Sequence, residues 1–100
     1  MVSGARYEVR RAEAGDATAV AGLAAELAQS FTFSGTRFRL SYPALLDAED
    51  ACLLLAVDGE ESLGYLLGFW HLTFYANGPV AWVEEIFVRP RIVAPASAER

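Results

Sequence analysis

Ala81-Trp82-Val83-Glu84-Glu85-Ile86-Phe87-Val88-Arg89-Pro90 is the stretch on which the fold turns. Its β-branched and aromatic residues read as a strand, closed by a proline that cannot donate to a ladder. Two adjacent carboxylates interrupt the apolar run. Successive strand side chains point to opposite faces, so Glu84 and Glu85 cannot sit alike in one cleft. A local bulge, or one residue facing outward, has to separate them. A solvated pair near a sheet edge, one on each face, is the reading that requires no chemistry.

Just upstream, Asn77-Gly78-Pro79 carries the strongest short hairpin signal, so the final strand at 80–88 folds back on a long one at 62–74. Gly64 and Gly68 inside that long strand mark a bulge or a close backbone approach. Asp58-Gly59-Glu60-Glu61 turns it back to a strand at 52–57. Near the N-terminus, Tyr7-Glu8-Val9-Arg10-Arg11 alternates apolar and polar residues and reads as a short first strand. A helix over 14–30 follows, with Val20, Leu23, Ala24, Leu27 and Phe31 as its buried stripe and Asp16 suiting its N-terminal dipole. Phe31 to Leu40 reads as a packed loop around the turn residues Ser34-Gly35-Thr36. Ser41 is the expected N-cap of a short second helix, with Pro43 in its first turn and Leu45 and Leu46 facing inward. The expected class is α+β: a mixed, mostly antiparallel four-stranded sheet with two helices, in the order β-α-α-β-β-β.

One hundred residues suffice for one core, and 54% of them are hydrophobic, a share that leaves apolar surface for a partner. The net charge of −5, with every basic residue an arginine, disfavours nucleic-acid backbones and favours cationic ligands. A single cysteine, Cys52, cannot form an internal disulfide and reads as a buried thiol among leucines. No signal peptide or myristoylation site is legible, and the longest apolar run, Ala51 to Val57, is too short to cross a bilayer. The expectation is a soluble cytoplasmic protein with no nucleic-acid or membrane partner.

Several of these segments together resemble a known family. Arg10-Arg11-Ala12-Glu13-Ala14-Gly15-Asp16-Ala17 resembles the opening strand and acidic first helical turn of the GNAT superfamily of acetyl-CoA-dependent N-acetyltransferases. Leu54-Leu55-Ala56-Val57-Asp58-Gly59 followed by Leu63-Gly64-Tyr65 resembles its central hairpin, and Val83-Glu84-Glu85-Ile86-Phe87-Val88 its fourth strand. Within the superfamily the acidic pair looks most like the spermidine/spermine (diamine) N-acetyltransferase branch. The resemblance covers residues 6–90.

What the resemblance implies is acetyl transfer from acetyl-CoA to a primary amine or polyamine. Glu84 and Glu85 would be the catalytic pair, and the main chain of Ile86, Phe87 and Val88 would pair with the pantetheine arm. The carboxylates make chemical sense, because an alkylamine of pKa about 10 arrives at pH 7 as an ammonium, and removing its proton costs about 4 kcal/mol. The family's pyrophosphate loop is different. Its pattern is Arg or Gln, two residues, Gly, one residue, then Gly or Ala. Arg91-Ile92-Val93-Ala94-Pro95-Ala96 replaces a glycine with Ala94 and a backbone donor with Pro95. The expectation is therefore a truncated GNAT-like domain at 1–90 with a divergent tail at 91–100, not competent as an isolated chain. The alternative is a non-catalytic, homodimeric binding module that self-associates through its exposed final strand.

Other candidates carry less chemistry. His71 reads as a strand-face residue, and Arg37 and Arg39 as solvated loop arginines. Tyr65, Phe69, Trp70, Phe74, Tyr75, Trp82 and Phe87 read as core more readily than as an aromatic cage for an amine. No metal-ligand spacing and no Ser-His-Asp set is present.

Overall fold

The computed structural model describes residues 7–29 and 31–90. The tail at 91–100, with the Arg91–Ala96 segment, lies outside the described residues. Strands β1 (Glu8–Arg11), β2 (Ala51–Asp58), β3 (Glu61–Thr73) and β4 (Gly78–Val88) form one sheet in the order β1-β2-β3-β4, every pairing antiparallel. Helices α1 (Ala17–Leu27) and α2 (Gly35–Asp47) fall between β1 and β2, as the expected order requires.

The sheet has two unlike faces. On β2, alternate residues Leu53, Leu55 and Val57 are buried, and Leu63, Tyr65 and Leu67 of β3 join them. Val20 and Leu23 of α1 and Tyr42 of α2 close this core from above, with Ala24, Leu27, Phe38, Leu45, Leu46 and Phe87 packed at its margin. The opposite face carries no helix among the described residues. Ile86 and Val88 there are 58% and 67% exposed, and Leu72 80%. No described helix is long and apolar enough to cross a membrane.

Charged tethers fix α1 to the strands at both ends. Arg10 Nη1 and Nη2 donate to the two carboxylate oxygens of Asp16 at 2.8 and 3.0 Å, tying β1 to the start of α1. That guanidinium holds the Asp16 carboxyl below its usual range. Glu13 N–H donates to Asp16 Oδ2 at 2.8 Å, so Asp16 also closes the short 3-10 turn Ala14–Asp16. At the far end, Arg89 Nε donates to Glu26 of α1 at 2.8 Å and its Nη1 to the Ser62 carbonyl at 2.9 Å.

Two sequence expectations need correction. Phe31 is 59% exposed and lies beyond the end of α1, so it takes no part in the buried stripe. Of the segment read as a loop, residues 31–34 are one, but residues 35–40 form the first half of α2. Ser34, not Ser41, is the N-cap: its hydroxyl accepts from Arg37 N–H at 3.2 Å. Phe38 and Tyr42, four residues apart, stack with centroids 5.4 Å apart and bind this helix to the core. Pro43 is thus interior to the helix. The donor it removes would have served the Arg39 carbonyl, and both residues are exposed, where water can take its place.

Gly64 is held by sterics. A Cβ there would lie 2.5 Å from the Phe87 carbonyl oxygen and 3.0 Å from Val88 Cα, whereas a Cβ on Gly22 of α1 would meet nothing within 4 Å. Gly64→Ala is expected to cost roughly 1–3 kcal/mol through overpacking. Gly22→Ala is expected to add roughly 0.5–1 kcal/mol through helix propensity. Urea unfolding of the two variants checks both signs.

Candidate functional site

The site is made by an irregularity in β4. Leu67 pairs with Glu85, but its neighbour Gly68 pairs with Val83, so Glu84 is an extra residue without a partner across the ladder. The bulge places both carboxylates on the helix-covered face. Glu85 stands beside Tyr65 and Leu67 in a cleft of about 290 Å³ between the helices and the sheet. Glu84 faces a separate depression with Phe69, His71 and Trp82. The two carboxylates therefore have different surroundings on the same face.

Glu85 is anchored. The Tyr65 hydroxyl, buried at the cleft floor, donates to Glu85 Oε1 at 2.7 Å. Burial, reinforced by this hydrogen bond to a carboxylate, pushes the Tyr65 phenol well above its ordinary range. It stays a protonated donor. The walls are aromatic: Phe31 and Phe33 from the connection, Phe38 and Tyr42 from α2. Phe33 leans on Phe38 with centroids 5.7 Å apart. Tyr42 is fixed from outside the cleft, its hydroxyl donating to the Glu13 carbonyl at 2.6 Å.

Ile86, Phe87 and Val88 follow Glu85 along β4, which has β3 on one side and, among the described residues, no strand on the other. Arg89 N–H donates to the Leu63 carbonyl at 2.7 Å. Main-chain groups in an antiparallel ladder alternate in direction, so those of Phe87 also turn toward β3 and those of Ile86 and Val88 toward the open edge.

The aromatic residues singled out from the strands are scattered. Tyr65 alone of that set joins Glu85, Phe69 and Trp82 lie with Glu84, and Trp70, Phe74 and Tyr75 are exposed. Phe87 packs against the core. His71 is exposed, Cys52 half-buried, and Arg37 and Arg39 are exposed on α2, with Arg37 at the cleft wall. Sequence reading missed the wall itself, because Phe33, Phe38 and Tyr42 were assigned to a loop and a helix start. The available signal was Phe38, Tyr42 and Leu45 at helical spacing.

Solved structures share the fold. A transcriptional regulator from Bacillus halodurans C-125 superposes with a TM-score of 0.70 at 16% identity, over 88% of this chain and 62% of that one. AAC(6')-Iy, in complex with the bisubstrate analogue CoA-S-monomethyl-acetylneamine, gives 0.73 at 18% identity, over 92% and 65%. A possible acetyltransferase from Clostridium difficile 630 gives 0.71 at 16%, over 85% and 59%. The chain shares its fold with these three structures. The chain spans about three fifths of the length of these structures. No protein-family model and no curated protein matches it.

The Tyr65–Glu85 pair has a measurable consequence. A phenol whose folded pKa is raised contributes stability below its unfolded value of about 10, and that contribution is lost as pH rises toward the folded value. Wild-type protein is expected to lose stability through this alkaline window, and Tyr65→Phe to lose less. Urea midpoints measured from pH 8 upward check this; parallel profiles would contradict the anchoring of Tyr65.

Proposed function

We propose that this chain carries the amine-accepting half of an acetyl-CoA-dependent N-acetyltransferase. The observation that carries the reading is Glu85: a carboxylate turned into an aromatic cleft by a strand bulge, held by a buried phenol, and next to an open strand edge. The likeness in fold to acetyltransferase structures supports it, although one matched structure is a transcriptional regulator and fold alone does not fix chemistry.

In this reading, the Glu85 carboxylate attracts an ammonium into the cleft and accepts its proton, directly or through water. Tyr65 keeps that carboxylate oriented. The freed nitrogen would then bond to the thioester carbonyl carbon as the C–S bond breaks, its surplus proton passing to the departing thiolate. Acetyl-CoA supplies the activated thioester carbonyl when bound. The outward main-chain groups of Ile86 and Val88 fit a pantetheine arm lying along β4, while Phe87, turned to β3, contributes position only. No residue is assigned to the pyrophosphate. Glu84 would act on the amine only from the neighbouring depression, so Glu85 is the stronger of the two catalytic candidates.

The test is calorimetric titration with acetyl-CoA followed by a thiol-release assay on a panel of primary amines. Saturable binding and turnover that falls about 100-fold in Glu85→Gln are expected. No heat at millimolar acetyl-CoA, with no thiol released, would overturn the enzymatic reading for this chain.

A second reading is favoured by the edge and the bare face: a non-catalytic module that self-associates through β4. The side of β4 away from β3, which no described strand covers and which exposed Ile86 and Val88 flank, offers both main-chain groups and apolar surface to a second copy. Sedimentation equilibrium is expected to give a dimer that Val88→Pro, which removes an outward donor, shifts to monomer. A wild-type monomer at high concentration would dismiss this reading.

A further inference from the structure

We infer that the cleft selects a primary amine with one ammonium group and an apolar, preferably aromatic, body, and discriminates against polyamines. The inference rests on the amine-acceptor reading of Glu85 and deepens it. Its first support is the charge inventory. Among the described lining residues, Glu85 is the one acidic group and Arg37 the one basic group. Glu84, the second member of the acidic pair, faces the other depression. Carboxylates of α1 and its approach are engaged elsewhere, Asp16 with Arg10 and Glu26 with Arg89.

A polyamine brings an ammonium at each nitrogen. One can meet Glu85. A second inside the cleft would meet aromatic and aliphatic side chains and the neutral hydroxyls of Thr32, Ser34 and Ser41, losing hydration without a counter-charge, or approach the Arg37 guanidinium and be repelled. Leaving the rest of the chain in solvent avoids both penalties but forgoes the walls. Those walls are the second support: Phe31, Phe33, Phe38, Tyr42 and Tyr65 surround a cavity of about 290 Å³. That volume is at the small end of ligand pockets. It suits a single ring with a short aminoalkyl arm, whose ring gains apolar contact while the ammonium meets both the carboxylate and aromatic faces.

Binding measured without acetyl-CoA separates this inference from the enzymatic one. Full-chain protein in 150 mM salt, which screens the acidic surface, is titrated by amide NMR with 2-phenylethylamine, spermidine and 2-phenylethanol. Expected is saturable binding of 2-phenylethylamine that shifts the amides around Glu85, with spermidine and 2-phenylethanol each at least tenfold weaker. Glu85→Gln keeps an acceptor for Tyr65 and should erase the preference for the amine over the alcohol. Phe31→Ala removes an exposed wall residue outside the core. It should weaken 2-phenylethylamine several-fold and leave spermidine unchanged. Spermidine binding as tightly as the arylalkylamine, amine and alcohol binding alike to wild type, or no binding of any probe would overturn the inference. Arylalkylamine binding without thiol release would leave the selectivity standing and remove the catalysis. Turnover with spermidine preferred would do the reverse.

Discussion

One extra residue in β4 sets up everything the site can do. In the hairpin between Thr73–Gly78 and Gly68–Val83 the ladder runs regularly, and continued without change it would set Leu67 against Glu84 and Leu66 against Glu85. Glu85 would then share the bare face with Leu66, and Tyr65 would lie opposite Ile86. The bulge advances the strand by one position, so Glu85 comes to the helix side at Leu67, Phe87 follows it into the core margin, and Ile86 and Val88 are left outside. A single unpaired residue thus decides the face of four side chains.

The bulge would achieve little without the groups that hold β4 against the helices. Tyr65 reaches from β3 to the carboxylate, and Arg89 joins the end of β4 to α1 and to the β3 main chain. The close approach of Gly64 to the Phe87 carbonyl lets the two strands pack tightly immediately beyond the site. Together these contacts keep a partly exposed carboxylate in one place. The orienting cost of this carboxylate is met in folding and would not recur at each encounter with a ligand.

Much of this architecture was legible in the sequence. Alternation exposed β1, the apolar run ending at Asp58-Gly59 exposed β2, the Asn77-Gly78 turn placed the last hairpin, and helical spacing of Val20, Leu23 and Leu27 exposed α1. The acidic pair demanded either a bulge or an outward residue, but periodicity could not choose, because a bulge is a property of two strands in register and not of one. Tyr65 and Glu85 are twenty residues apart and meet only through that register. The start of the second helix was hidden by its own composition: Ser34-Gly35-Thr36 signals a turn and also an N-cap, and Pro43 argues against a helix interior that solvent in fact tolerates. Mistaking that helix start for a loop removed the aromatic wall from view, since Phe38 and Tyr42 gain a common face only when helical.

The sheet face that no described helix covers would tie this fold by mass action to any partner that binds it. Domains are stable by about 5–15 kcal/mol, and a partner that covers a surface of the folded state alone adds about 2.7 kcal/mol at one hundred times its dissociation constant. For a small domain with exposed Leu72, Ile86 and Val88 on one side, that is a large fraction of the total. Its melting temperature would then be less a constant of the sequence than a gauge of any partner laid against the sheet.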